Sequence, residues 1–360
     1  MFTERTSVGL DVHARSVAAA AIDGVTGEVF KTRLVPSSEQ ILGWVRDLPG
    51  PVAVAYEAGP TGFGLARSLT GASIRCEVVA PSKLQRPAGD RVKTDARDAL
   101  HLAKLLRLDE YTPVRVPSVA QEAARDLVRA REAARSDLMR ARHRCSKLLL
   151  RHGIVYYGGK AWTHKHDDWL LSQRFDQPGT QAAFEDAYEQ VVLVTGRRDR
   201  LDAIITAMAA DSEFTTMTRR LGCLRGIGTL TGFALAVEIN DWDRFTGASI
   251  GAYLGLVPSE HSSGATRAQG AITKTGNTHV RRLLVEAAWH HRKPYRPTAI
   301  LRRRWEQAPP PVVARAQAGN RRLHQRWAHY AERKKRPVVA NVAVARELAG
   351  WCWSLATMAE

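Results

Sequence analysis

Four carboxylates in the first hundred residues, Asp11, Glu57, Asp95 and Asp98, are of the type and placement that hold a divalent cation. Asp11 lies inside the apolar run GLDV, and a carboxylate flanked by Leu10 and Val12 is costly to bury unless something pairs with it. Glu57 closes the segment PVAVAYE just before Gly59-Pro60. Asp95 and Asp98 stand three apart in TDARDALHLAKLL, a spacing that puts both on one face of a helix. Oxygen ligands suit Mg2+ or Mn2+, and a metal pair can bracket the attacking and leaving oxygens of phosphoryl transfer. Singly, each has a plainer reading. Asp95 and Asp98 complement a helix dipole, and Glu57 is a solvated carboxylate at a strand end. In one element order, the four point to a metal site.

The elements that must position them are short and regularly punctuated. Residues 6–13, 16–22 and 28–35 read as three strands joined by tight turns, an antiparallel meander. A helix follows, with Ser37 or Ser38 as its N-cap. Residues 51–57 read as a buried strand, 61–71 as a helix, 74–80 as a strand, and 94–108 as a helix capped by Thr94. This βββαβαβα order, with later strands extending the sheet in parallel, is that of the ribonuclease-H-like fold.

Pro113 and Pro117 end this region. Residues 119–152 lack Pro and Gly and carry helical periodicity. Between 125 and 151 there are nine Lys/Arg against three acids, net +6, which fits a solvated face or a phosphate-tracking stripe. A Gly-rich break at 153–165 and a second helical stretch at 180–210 predict an antiparallel, coiled-coil-like arm. His164, His166, Asp167 and Asp168 cluster in or beside the break, at a spacing that matches no zinc pattern.

Further on, Gly226-Ile227-Gly228 precedes a helix start at Thr229. It resembles a helix-hairpin-helix turn, which offers backbone amides to a phosphate; a packing turn is the other reading. Residues 247–255 read as helical, 256–277 as a long exposed loop or hairpin, and 278–291 as a helix bearing Arg281 and Arg282. Between 281 and 336, which includes Arg302, Arg303 and Arg304, sixteen Lys/Arg face three acids, net +13. Such a concentration is the footprint of a nucleic-acid surface. Trp289, Trp305, Trp327 and Tyr330 interleave with it and either stack on bases or pack between helices.

At 360 residues, 44% hydrophobic and 25% charged, the chain is expected to fold into two or three domains. Its net charge of +17 points to a polyanion, nucleic acid first and an anionic membrane surface second. The four cysteines are far apart, which excludes a CxxC motif and a cysteine-rich zinc module. No apolar run approaches the roughly 18 residues of a membrane span, and the opening MFTERTSVGLDV has no signal-peptide core, so a cytoplasmic location is expected.

GLDVHARSVAAAAID, YEAGPTGFGLARSL and DRVKTDARDALHLAKLL resemble the N-terminal domain of DEDD-type insertion-sequence transposases, itself similar to the RuvC junction resolvase. LRGIGTLTGFALAVEINDWDRF and YLGLVPSEHSSGATRAQGAITKTGN resemble the second block of the same transposases, the IS-one-ten family. The resemblance covers roughly 5–108 and 218–292 and implies three parts. These are a RuvC-like α/β domain at 1–112, a helical arm at 113–215, and a mostly helical C-terminal domain at 216–360.

It also implies roles. Asp11, Glu57, Asp95 and Asp98 match the family's metal-binding carboxylates. Gly255-Leu256-Val257-Pro258 leads to Ser262-Ser263-Gly264, and Ser263 takes the place of the serine that attacks DNA. Beyond the resemblance, activation of that serine is expected either from Mg2+ lowering the hydroxyl pKa or from Arg267 and Lys274 stabilising charge at the phosphate. DNA, as element ends and target, is the implied substrate, and a homodimer or homotetramer the implied assembly. Some family members are guided by a structured noncoding RNA, and a basic arm is compatible with that partner. A RuvC-like metal-dependent nuclease and a non-catalytic nucleic-acid-binding protein are the alternatives.

Overall fold

The computed structural model describes residues 4–84, 94–263 and 266–359, with 262, 263, 266 and 267 described in their backbone alone. It divides into two compact units, Met1–Val119 and Ala120–Glu360.

The first unit is built on a sheet of strands β1 (Thr6–Val12), β2 (Val17–Asp23), β3 (Val29–Leu34), β4 (Val52–Glu57) and β5 (Arg75–Val79). Their order is β3-β2-β1-β4-β5. The first three pair antiparallel, while β4 joins β1, and β5 joins β4, in parallel. Parallel neighbours need crossovers, which helices α1 (Ser38–Arg46) and α2 (Gly64–Gly71) supply. Residues 61–71 are expected as one helix, but α2 begins only at Gly64. The difference is a turn in which Gly62 takes φ +70 and its N–H donates to Gly59. One face of the sheet buries Val8, Leu10, Val54 and Tyr56 with Ile41, Val45 and Leu69 from the two helices. The other face receives α3 (Asp95–Leu108).

The second unit opens with two helices of 33 residues, α4 (Val119–Arg151) and α6 (Pro178–Ala210), separated by the short α5 (His164–Leu171). Arg131 pairs with Asp202 and Asp137 with Arg197, so the two run antiparallel. Leu138, Ala141, Cys145 and Leu149 pack on Phe184, Val191 and Val194, with Leu170 of α5 closing the end. At the opposite end Ala124 and Val128 join Ile205, Ala209, Phe214, Phe233 and Val237. There the arm merges with α7 (Thr215–Gly222) and α8 (Thr229–Ile239).

The rest of this unit comprises α9 (Ser249–Tyr253), strands β6 (Pro258–Ser263) and β7 (Thr266–Ile272), α10 (Thr278–Ala288), α11 (Ala299–Trp305), α12 (Pro310–Glu332) and α13 (Pro337–Ala356). The Gly- and Ser-rich stretch expected as loop or hairpin is the β6–β7 hairpin. The helix expected over 278–291 ends at Ala288 and tightens into a 3-10 turn over Trp289–Arg292. Helices α10, α12 and α13 bury one core with Leu224, Ile227, Leu235 and Ile250. No helix among the described residues is long and apolar enough to cross a membrane.

Candidate functional site

Strand alternation decides which side chains meet α3. Gly9 lies against that helix's backbone, and residues two apart on a strand share a face, so Asp11 is on the α3 side. On β4, Ala53 and Ala55 pack with Leu102 and Leu106 of α3, and Glu57 follows at the same spacing. Leu10 and Tyr56 are register partners, so Asp11 and Glu57 each stand one residue beyond them near the carboxyl ends of adjacent parallel strands. The Thr94 hydroxyl accepts from the Arg97 N–H and starts α3 there, with Asp95 and Asp98 in its first turn.

Asp11, His13 and Asp95 bring one ligand atom each within 4.8 Å of one another. His13 Nε2 is 3.2 Å from Asp11 Oδ2 and 3.9 Å from Asp95 Oδ1. Arg33 reaches Asp95 at 3.8 Å. Burial pushes the Asp11 carboxyl above its ordinary value; His13 opposes this, and the charges of Asp95 and Asp98 add to it. Like charges crowded in this way gain from a shared cation, and carboxylate oxygens with one imidazole fit Mg2+ or Mn2+. Glu57 and Asp98 lie outside this 4.8 Å group, and of the two it is the charge of Asp98 that acts on Asp11. His13, one residue past the end of β1, is the member that the spacing of carboxylates overlooks.

In the second unit Ser263 ends β6, its backbone paired with Thr266 across the hairpin. The side chains of Ser263 and Arg267 lie outside the described residues. Lys274 is exposed just after β7. Gly226 has φ +88, and a Cβ there would stand 2.5 Å from the Ala287 carbonyl oxygen. Asn320 accepts from the Arg225 N–H at 2.8 Å and, with Trp305, donates to the Cys223 carbonyl. The Gly226-Ile227-Gly228 turn is thus seated on α10, α11 and α12.

The arginines expected to meet nucleic acid divide into two kinds. Arg302 and Arg303 are exposed. Arg304 is half-buried and donates to the Gly222 carbonyl at 3.1 Å and to that of Ile227. Arg281 donates to the carbonyls of Leu254 and Thr275 at 3.0 and 2.7 Å. Arg282 pairs with Glu132 and Glu286 at 2.6 and 2.7 Å. On α4, Arg129, Arg131 and Arg135 are likewise engaged by Glu238, Asp202 and Glu132.

Glu238 anchors a polar junction of α4, α8 and α10 that sequence reasoning missed. Arg129 donates to both of its oxygens at 3.2 Å, and Asn277 donates at 2.9 Å. His279 lies 3.5 Å from Glu238 and 3.6 Å from Glu132, within ion-pairing reach but beyond good hydrogen-bond length. Burial works to raise the Glu238 carboxyl; His279, Arg129 and Asn277 override it and hold it at about 2. His166, in the histidine-rich cluster, is buried among Tyr156, Trp162 and Trp169, with ring centroids 4.7, 5.1 and 5.5 Å away. It serves packing there, and burial lowers its pKa. Trp327 is also a core residue, donating to the Ala288 carbonyl at 3.2 Å.

Comparison with known proteins adds an independent line. Residues 8–154 match the DEDD_Tnp_IS110 model, described as a transposase, and residues 218–301 match the model of the transposase IS116/IS110/IS902 family. A Sinorhizobium fredii protein described as a transposase is 39% identical over 97% of this chain and 88% of its own length. A Leptospira borgpetersenii transposase for insertion sequence element IS1533 is 32% identical over 91% of this chain and 97% of its own.

Proposed function

Since the chain belongs to the DEDD-type insertion-sequence transposases of the IS110 family, enzymes that cut and rejoin DNA, we propose that it does so with Ser263 as nucleophile and with a divalent-metal site in its first unit. The observation that carries the metal site is the meeting of Asp11 and Asp95, from separate elements, with the charge of Asp98 acting on Asp11; Glu57, at the end of the neighbouring strand β4, is proposed as a further ligand. The first unit supports a ribonuclease-H-like, RuvC-like reading. Its strand order is β3-β2-β1-β4-β5, with three antiparallel strands and two parallel additions. We read residues 1–112 as this domain, 113–215 as the arm and 216–360 as the nucleophile-bearing domain.

In the proposed reaction the Ser263 oxygen attacks a DNA phosphorus and one P–O ester bond breaks, releasing a hydroxyl end. A hydroxyl end of another strand then displaces the serine. Each step exchanges one phosphoester for another, so no external energy source is required. A cation held by Asp11, Glu57, Asp95 and Asp98 would stabilise negative charge on the transferring phosphate. Lys274, exposed near the hairpin, and Arg267 supply positive charge for the same phosphate. Exposed Arg302 and Arg303 hold the DNA backbone. The net charge of +17 supports a structured guide RNA as a further partner, and joining two DNA ends to a target calls for an even-numbered assembly.

The test is a denaturing gel. Wild type should yield a protein–DNA adduct and strand exchange. Ser263→Ala should lose both while still binding DNA, and Ser262→Ala should keep both. Cleavage by Ser263→Ala at the wild-type rate would make the protein a metal-dependent nuclease with a structural serine.

A further inference from the structure

Between β7 and helices α12 and α13 lies a groove of about 1000 Å3, to which neither the carboxylate cluster nor the arginines assigned above contribute. Leu256, Ile272, Val339, Val342 and Trp353 give it apolar walls. Arg315, Arg326, Lys335 and Arg346 stand along it against one acid, Glu347. That acid is already paired with Arg322 at 3.1 Å and Arg326 at 3.5 Å. Aromatic rings hold three of the cations against the wall. The Arg315 guanidinium is 4.5 Å from the Trp351 ring centre, and Arg326 and Lys335 are 5.0 and 5.4 Å from that of Tyr330. Arg346 is exposed, with no ion pair or hydrogen bond from its side chain among the described residues.

The excess positive charge calls for an anionic occupant, and the apolar slot calls for a flat apolar group on the same ligand. An unpaired nucleotide carries both, a base face and a phosphate, in one residue. In a duplex the base faces are covered by stacking, so a paired strand cannot fill the slot. Arginine planes seated on aromatic rings are themselves surfaces on which bases stack. Position agrees with chemistry. Strand β7 runs from Thr266, the register partner of Ser263, to groove residue Gln269, about 10 Å at roughly 3.3 Å per residue.

We propose that this groove binds an unpaired nucleotide of a nucleic-acid strand, its base between β7 and α13 and its flanking phosphates on Arg315, Lys335 and Arg346. The inference rests on reading the chain as a nucleic-acid recombinase, but it concerns none of the residues that reading uses.

The test titrates the full-length protein with eight-nucleotide strands carrying 2-aminopurine, one of DNA and one of RNA. The base should lose fluorescence on binding, and the strand that binds tighter identifies the natural source. Arg346→Glu with Lys335→Glu should weaken binding about tenfold or more. Val339→Trp, which fills the groove and removes no charge, should abolish quenching while leaving duplex binding within about twofold. Both variants change exposed residues, and unchanged thermal melting verifies their folding. An abasic strand that binds as tightly as the intact one overturns the proposal. So does decaglutamate that displaces the strand as well as unlabelled oligonucleotide does, which would assign the groove to an acidic peptide. Unchanged quenching in Val339→Trp, with the Ser263-dependent adduct intact, removes the groove and leaves the recombinase reading. Quenching in wild type that Val339→Trp abolishes, with no Ser263-dependent adduct in wild type, keeps the groove and removes the recombinase reading.

Discussion

A Cβ on Gly9 would stand 2.0 Å from the carbonyl oxygen of Ala99. Strand β1 and helix α3 therefore meet backbone to backbone, and this contact sets how closely Asp95 and Asp98 approach Asp11.

Gly9→Ala should force α3 away from the sheet. Overpacking of this kind costs about 1–3 kcal/mol, and the displaced helix should also weaken divalent-cation binding. Thermal melting and Mn2+ titration calorimetry check this. Wild-type behaviour in both would show that the contact is not a constraint.

Asp11→Asn should abolish Mn2+ binding and strand exchange. It should not lower thermal stability, because burial and the charges of Asp95 and Asp98 already disfavour the ionised carboxyl. His13→Ala should weaken cation affinity about tenfold, the scale of residues that orient or supplement a ligand set. Full activity in EDTA, or unaltered calorimetry in Asp11→Asn, contradicts the metal site.

Arg302→Ala with Arg303→Ala should flatten the fall of DNA affinity with salt by about one to two counterions and leave the melting temperature unchanged. Arg304→Ala should instead lower it, because the carbonyls of Gly222 and Ile227 lose their donor. Equal salt slopes in wild type and the double variant would remove this patch from the DNA interface.

Glu238 makes the second unit acid-sensitive in a defined direction. Its carboxyl is held at about 2 when folded, below the ordinary glutamate value, so its contribution is complete above the unfolded value. That contribution is lost as pH falls from the ordinary glutamate range toward 2. Glu238→Gln should cost about 1.5–3 kcal/mol at neutral pH, because the hydrogen bonds that Arg129 donates to the buried carboxylate lose their charged acceptor. The variant should also show a shallower loss of stability between pH 5 and 2. Denaturant melts across that range decide it, and parallel curves for variant and wild type would refute the role.

The order of elements in the first unit was legible because local chemistry specifies it. Apolar runs broken by turn residues define the strands, Thr94 caps α3, and a carboxylate in an apolar run marks Asp11. His13 carries no such mark, because it lies one residue past the end of β1 and only the fold brings its imidazole to Asp11 and Asp95. The two long helices were legible for a similar reason, since 33 residues without Pro in the interior hold a helical period. Tertiary structure alone decided which cations are tied to a distant segment of the chain. In the sequence Arg129, Arg281, Arg282 and Arg304 look no different from Arg302, Arg303 and Arg346. Folding gives the first four a carboxylate or carbonyl from elsewhere in the chain, such as Glu238 for Arg129, and leaves the last three exposed. A guanidinium carries no local mark of its partner. Whether it meets a buried carboxylate or a phosphate depends on which distant segment the fold brings beside it.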